Sequence, residues 1–233
     1  MLLSIIIPVY NEEENLQKRL SFLEEQAKRF PLEIIVSNSP ETNDNTEQVC
    51  AQYSVVRLYN CHCKGRAKQM NFGVSKASGD FFLFLHADVQ LPDDFYTQIK
   101  EASHDYDVGF FAYIFDKHTL LLDFNSQFTK KDGLFAGGGD QCQFFKKETF
   151  KQLRGFNEEY CIMEDFEMID RVRKFRIPYT IIQSYAIVST RKYAERSWLK
   201  VNFINAYVFL RYKLGTPPIK LRKLYQHLLR EQV

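Results

Sequence analysis

One apolar run in this chain stops abruptly at two residues able to do chemistry. In Leu83-Phe84-Leu85-His86-Ala87-Asp88 a stretch of bulky side chains ends in an imidazole and a carboxylate two positions apart. If the strand continues through them, period-two geometry turns both side chains to the same side. An imidazole and a carboxylate so placed can share a divalent cation. Such a cation would neutralise a diphosphate and the charge it carries away. The same residues also fit a plainer pattern, an Asp capping the next helix beside a hydrogen-bonded core His. A second acidic pair, Glu164-Asp165, opens a run of helical spacing, where the helix dipole favours carboxylates. Arg66 and Lys68 follow Gly65 at another expected helix start. Amide donors plus two cations there form an anion site, or else a solvated basic helix end. Gly137-Gly138-Gly139-Asp140 is a loop whose glycines give up order for close backbone approach, or an ordinary tight turn.

Strands alternating with helices must position these groups. Residues 2–8, 32–36, 55–59 and 81–85 are short apolar runs and read as strands. Residues 12–30, 46–53 and 65–77 between them carry helical spacing. Strands apolar on both faces and separated by helices predict an α/β fold with a parallel sheet covered on both sides and right-handed crossovers. Ligands bind such sheets beyond the C-terminal strand ends. Those ends are Pro8-Val9-Tyr10-Asn11, Val36-Ser37-Asn38 and Leu85-His86-Ala87-Asp88. The second half is less regular. Strands are expected at 108–115, 143–146, 179–182 and 186–189, and helices at 148–153, 164–175, 198–214 and 221–229.

The chain has 233 residues, of which 45% are apolar and 26% charged, the composition of a folded globular protein. The formal net charge of +2 conceals a split: residues 1–188 carry −6 and residues 189–233 carry +8. A basic end on an acidic body suggests an anionic partner. No apolar run reaches the ~20 residues needed to span a bilayer, and the N-terminus lacks the basic start of a signal peptide. Five cysteines without framework spacing suggest a reducing cytoplasm. Cys61-His62-Cys63 resembles a metal fragment, but no second ligand pair follows at zinc-site spacing.

Several segments agree in order with one family. Ser4-Ile5-Ile6-Ile7-Pro8-Val9-Tyr10-Asn11-Glu12, Gly65-Arg66-Ala67-Lys68-Gln69-Met70-Asn71, Gly79-Asp80, Phe84-Leu85-His86-Ala87-Asp88 and Met163-Glu164-Asp165 together resemble family 2 glycosyltransferases. That family has the GT-A fold, a Rossmann-like, mostly parallel sheet flanked by helices. The chain is similar to a bacterial subfamily of small, single-domain transferases with a His-Ala-Asp motif. The resemblance covers about residues 2–215, leaving 216–233 as a basic helical tail packed on that domain or extending from it.

The resemblance implies transfer of a sugar from a nucleotide-diphosphate donor to an acceptor hydroxyl, with inversion at the anomeric carbon. Such a reaction needs a base for the hydroxyl proton and stabilisation of the departing diphosphate. Asp165, with Glu164 beside it, matches the base motif. Asp88 and His86 match the motif that holds a divalent cation, Mn²⁺ or Mg²⁺. Donor contacts are implied for Pro8, Tyr10, Asn11, Glu12, Asn38, Arg66, Lys68, Gln69, Asn71, His86, Ala87, Asp88, Gly139, Asp140, Gln141, Arg191 and Lys192.

Two residues depart from the family pattern. Asn38 stands where an Asp usually meets the nucleobase, and an amide both donates and accepts there. His86 replaces the first Asp of the metal motif, and an imidazole suits Mn²⁺ better than Mg²⁺.

The aromatic, basic-ended segment 198–213 reads as a helix packed on the domain or lying on a membrane surface. The latter suits a lipid-linked acceptor and a cytoplasmic protein peripheral at the membrane face. A sugar-phosphate nucleotidyltransferase usually has a glycine-rich basic loop after its first strand, which Pro8-Val9-Tyr10-Asn11-Glu12 is not. A non-catalytic nucleotide-sugar-binding module would not need Glu164-Asp165. No nucleic-acid recognition motif accompanies the basic tail.

Overall fold

The computed structural model describes residues 1–194 and 197–229, with the side chains of Lys192 and Ala194 left aside. The elements run β1 (Leu3–Val9), α1 (Glu13–Ala27), β2 (Leu32–Asn38), α2 (Thr46–Cys50), β3 (Val56–Asn60), α3 (Arg66–Lys76), β4 (Phe81–Phe84) and β5 (Val89–Gln90). Then come α4 (Phe95–Ala102), β6 (Val108–Phe115), α5 (Leu120–Gln127), β7 (Phe144–Lys146), α6 (Lys147–Gln152), α7 (Glu164–Lys174), β8 (Tyr179–Val188), α8 (Arg191–Ala194), α9 (Trp198–Lys213) and α10 (Pro218–Leu229).

The strands form one eight-stranded sheet in the order β3-β2-β1-β4-β7-β6-β8-β5. The first four strands of the chain pair in parallel, as their apolar runs predict. The sheet then turns mixed. β7 is antiparallel to both β4 and β6, β8 is parallel to β6, and β5 is antiparallel to β8. The two strands expected at 179–182 and 186–189 are one continuous strand, β8, carried across the interruption by a register shift between Phe111 and Tyr113 of its neighbour β6.

Alternation along the strands builds a core on each face. Ile5, Ile7, Leu83 and Phe111 pack on one side, with Leu16, Leu20 and Leu23 of α1. Ile6, Phe82, Phe84 and Phe110 pack on the other, with Met70 of α3 and Met168, Ile169 and Val172 of α7. A third cluster joins α9, α10 and the start of α7, with Val208, Leu221 and Leu229 buried at its centre. All five cysteines are unpaired. No helix among the described residues is long and apolar enough to cross a membrane.

Candidate active site

The parallel strands bring β1, β2 and β4 to the same sheet edge at their C-terminal ends. Gln69, buried on α3, ties two of those ends together, its amide donating to the carbonyls of Val9 (2.8 Å) and Ser37 (2.9 Å). At the tip of β1, Tyr10 is exposed and Asn11 takes a positive φ of 52°. Asn11 Oδ1 accepts from the backbone N–H of Asn43 at 2.9 Å, which fixes the loop after β2. Asn38 ends β2, donates to Asn60 Oδ1 at 3.0 Å and keeps its own Oδ1 buried, without a hydrogen-bond partner among the described residues.

The strand expected to carry His86 and Asp88 stops short of them. β4 ends at Phe84, and the next residues form a turn closed by the Val89 N–H donating to the His86 carbonyl at 3.0 Å. Strand alternation therefore does not govern the pair. His86 is buried and Asp88 half-buried. His86 Nδ1 lies 3.7 Å from Asp140 Oδ1, so the glycine loop supplies the imidazole's nearest carboxylate.

That loop lies against the first turns of α7. Gly137 has a φ of +88°, and a Cβ there would collide with Ile169. A Cβ on Gly139 would strike both the Asp165 carboxylate and the His86 ring. The backbone thus passes between acid and imidazole with no room for a side chain. Gln143 fastens the arrangement, its amide donating to the carbonyls of Gly137 and Asp165. The sequence offered one signal for this residue, a lone amide set just before the apolar Phe144-Phe145 of β7.

Glu164 and Asp165 begin α7 after Met163, which takes the left-handed conformation with φ 65°. Both carboxylates are buried. Arg66 Nη1 lies 3.4 Å from Glu164 Oε1, while Glu164 Oε2 has no hydrogen-bond partner among the described residues. Burial first, then the neighbouring Glu164 charge, raises the Asp165 carboxyl to about 7 against the pull of His86 and Arg66. Burial lowers the Arg66 pKa, but Glu164, Asp165, Asp140 and Asp88 more than reverse this and hold it above its ordinary value. One guanidinium therefore faces four carboxyls.

No three His, Cys, Asp or Glu side chains among the described residues converge as a ready metal cage. The excess of carboxyls over Arg66 and the mixed oxygen and nitrogen donors nevertheless fit a divalent cation whose remaining ligands are phosphate oxygens.

Several residues expected to touch a nucleotide have other work. Besides Gln69, Asn71 donates to the Phe156 carbonyl and accepts from its N–H, both at 2.9 Å. Gln141 donates to the carbonyls of Phe111 (3.0 Å) and Thr129 (3.1 Å) and accepts from the Gly137 N–H. These amides tie strands and loops together. Lys68 is half-buried in the first turn of α3, Pro8 sits within β1, and Ala87 is buried in the turn after β4. Glu12 Oε2 accepts from Asn15, and Arg191 Nη2 lies 3.8 Å from Glu12 Oε1, beside the end of β1. The Lys192 side chain lies outside the described residues.

Beyond His86 and Asp165 opens a cavity of about 600 Å³. Tyr113 of β6, Asn125 of α5, and Trp198, Asn202, Asn205 and Phe209 of α9 line it. The basic C-terminal segment is therefore a wall of the site. Trp198 Nε1 is buried with no hydrogen-bond partner among the described residues. The sequence pattern did not reveal this role, because an aromatic helix lining a cavity has the same spacing as one packed on a core.

The family model described as "Glycosyl transferase family 2" matches residues 4–172. The chain belongs to this family. A dolichol-phosphate mannosyltransferase of Pyrococcus furiosus is 32% identical over 105 residues, covering 44% of this chain and 30% of that protein. A GalNAc(5)-diNAcBac-PP-undecaprenol beta-1,3-glucosyltransferase of Campylobacter jejuni is 30% identical over 174 residues, covering 68% of this chain and 55% of that protein. The chain thus spans roughly a third to a half of the length of these curated relatives. Among solved structures, mannosyltransferase PcManGT from Pyrobaculum calidifontis, in complex with GDP-Man and Mn²⁺, superposes with a TM-score of 0.69 at 17% identity, covering 98% of this chain and 68% of that one. S. aureus TarS in complex with UDP-GlcNAc gives 0.65 at 17% identity, covering 98% and 72%. At such identity the likeness establishes the fold, which is GT-A.

Proposed function

We propose that this family 2 glycosyltransferase moves a hexose from a nucleotide-diphosphate donor to a hydroxyl of a lipid-linked acceptor, with inversion. The observation that carries this reading is Asp165, buried at the floor of the cavity with its carboxyl raised to about 7. A base with a pKa near the working pH accepts a hydroxyl proton with little loss of driving force. The acceptor hydroxyl enters from the cavity and hands its proton to Asp165 as its oxygen attacks the anomeric carbon. The donor lies along the ends of β1, β2 and β4, with the base near Asn38 and the diphosphate towards Arg66 and the first turn of α3. Arg66 offers charge to the departing phosphates, and α3 adds its free N–H groups. A divalent cation held by Asp88 and His86, with Asp140 beside them, would neutralise the leaving diphosphate. Glu164 keeps Arg66 in place.

The names of the two relatives, one dolichol-phosphate and one undecaprenol-linked, support a lipid-linked acceptor. The aromatic wall of the cavity and its three asparagines suit a saccharide, which stacks on rings and hydrogen-bonds to amides.

A thermal-shift panel of nucleotides and nucleotide sugars with and without Mn²⁺ tests the reading. A nucleotide at about a hundred times its Kd should stabilise by roughly 2.7 kcal/mol, a rise of roughly 5–10 °C for a chain of this size. Asp88→Ala should remove the Mn²⁺-dependent part of that rise. Indifference of the protein to every nucleotide would reject the proposal.

A further inference from the structure

We propose that α5 and α9 form a docking surface for an anionic lipid bilayer, placing the mouth of the cavity at the membrane. Among the described residues, nothing covers the apolar outer face of α9. Leu199, Phe203, Tyr207, Leu210 and Leu214 are all exposed, Phe203 at 75%. At 3.6 residues per turn they fall within an arc of about 80°. Lys200 and Arg211, both exposed, border one side of that arc. Lys213, which also holds Asp170, borders the other. An apolar stripe margined by Lys200 and Arg211 suits a helix lying in a bilayer interface, its stems buried and its charges in the headgroups.

A second stripe adjoins the first. Asn125 of α5 donates to Asn202 of α9 at 2.9 Å, which sets the helices side by side. On α5 and just beyond it Leu120, Leu121, Phe124 and Phe128 are exposed, Leu120 at 90%. Lys117 before this helix and Lys131 after it are exposed, each beside an exposed carboxylate, Asp116 and Asp132, and α5 carries Asp123, so this stripe contributes apolar surface and the cations come from α9. Phe128 and Phe135 are exposed to solvent and also line the cavity, so the apolar surface runs from the outside into the site.

Charge decides the occupant. Neither α9 nor α10 contains an Asp or Glu, and residues 189–233 carry +8. Pairing α9 with a second copy of itself would set Lys200 and Arg211 against their own kind. An anionic bilayer meets the same cations with opposite charge, each worth roughly 1 kcal/mol near the surface. This surface deepens the reading of a lipid-linked acceptor, because a chain anchored in the bilayer would meet the cavity at its mouth.

Flotation with vesicles of phosphatidylcholine alone, and of phosphatidylcholine mixed with phosphatidylglycerol, tests the surface on the whole chain. The protein should float with the phosphatidylglycerol vesicles, and high salt should weaken binding severalfold. The triple variant Leu199→Ser, Phe203→Ser, Leu210→Ser should bind at least tenfold more weakly with an unchanged melting temperature. Should it fold poorly, the pair Lys200→Glu, Arg211→Glu should lose the preference for phosphatidylglycerol while the apolar stripe stays intact. Absence of vesicle binding, equal binding by all variants, or concentration-dependent dimerisation abolished by the triple variant would overturn the proposal. Nucleotide-sugar stabilisation, read separately, would still report on the sugar-transfer reading if the membrane surface failed.

Discussion

Asp165 keeps a proton that an ordinary aspartate gives up near pH 3.8. Burial and the adjacent Glu164 charge raise its carboxyl to about 7. The folded chain therefore binds this proton up to about pH 7, whereas the unfolded chain releases it near 3.8. The associated stability is full below about pH 4 and is lost as pH rises through 7. Asp165→Asn removes the ionisable group, so it should raise the melting temperature most at pH 8, by several degrees, and progressively less as the pH falls towards 4. Equal melting curves at pH 8 would show that the carboxyl is not held under strain. The residue types at 86, 88, 164 and 165 were legible as chemistry in the sequence. The geometry that unites them was not. His86 and Asp88 fall in a turn instead of a strand, and Asp140, set by a distant loop, is what meets the imidazole.

Helix starts and strand ends do the positioning. α3 and α7 both open at the sheet edge where β1, β2 and β4 end, and the glycine loop threads between α7 and His86. Gly139 is the tightest point, since a Cβ there has only the Asp165 carboxylate and the His86 ring to displace. Gly139→Ala should lower kcat by tens of fold while leaving nucleotide affinity nearly unchanged, at a stability cost of about 1–3 kcal/mol. Steady-state kinetics beside nucleotide titration checks this, and unaltered kcat would remove the loop from the catalytic geometry. The regular first half of the sheet was readable, because strands apolar on both faces and separated by helices leave few arrangements. The second half was not. Its strands pair antiparallel and parallel by turns, and β5 and α5 are too short to announce themselves by periodicity. Gln69, Asn71 and Gln141 look like ligand-facing amides in sequence, yet they join backbone segments, a distinction that composition cannot make.

At the scale of the molecule, the split charge acquires a shape. The acidic body holds the carboxyls of the site, and the basic C-terminal segment closes the cavity with one face of α9 while exposing an apolar, cation-edged stripe on the other. In the proposed reaction, donor and acceptor approach from different sides, with Asp165 between them. That separation makes the central claim testable by a single comparison. Turnover of a nucleotide sugar and its binding affinity should be measured side by side in the wild-type chain and in Asp165→Asn. In Asp165→Asn kcat should fall roughly 10²–10⁴-fold, the size of general-base catalysis, with nucleotide-sugar affinity changed less than about threefold. Turnover at the wild-type rate in Asp165→Asn would contradict that claim.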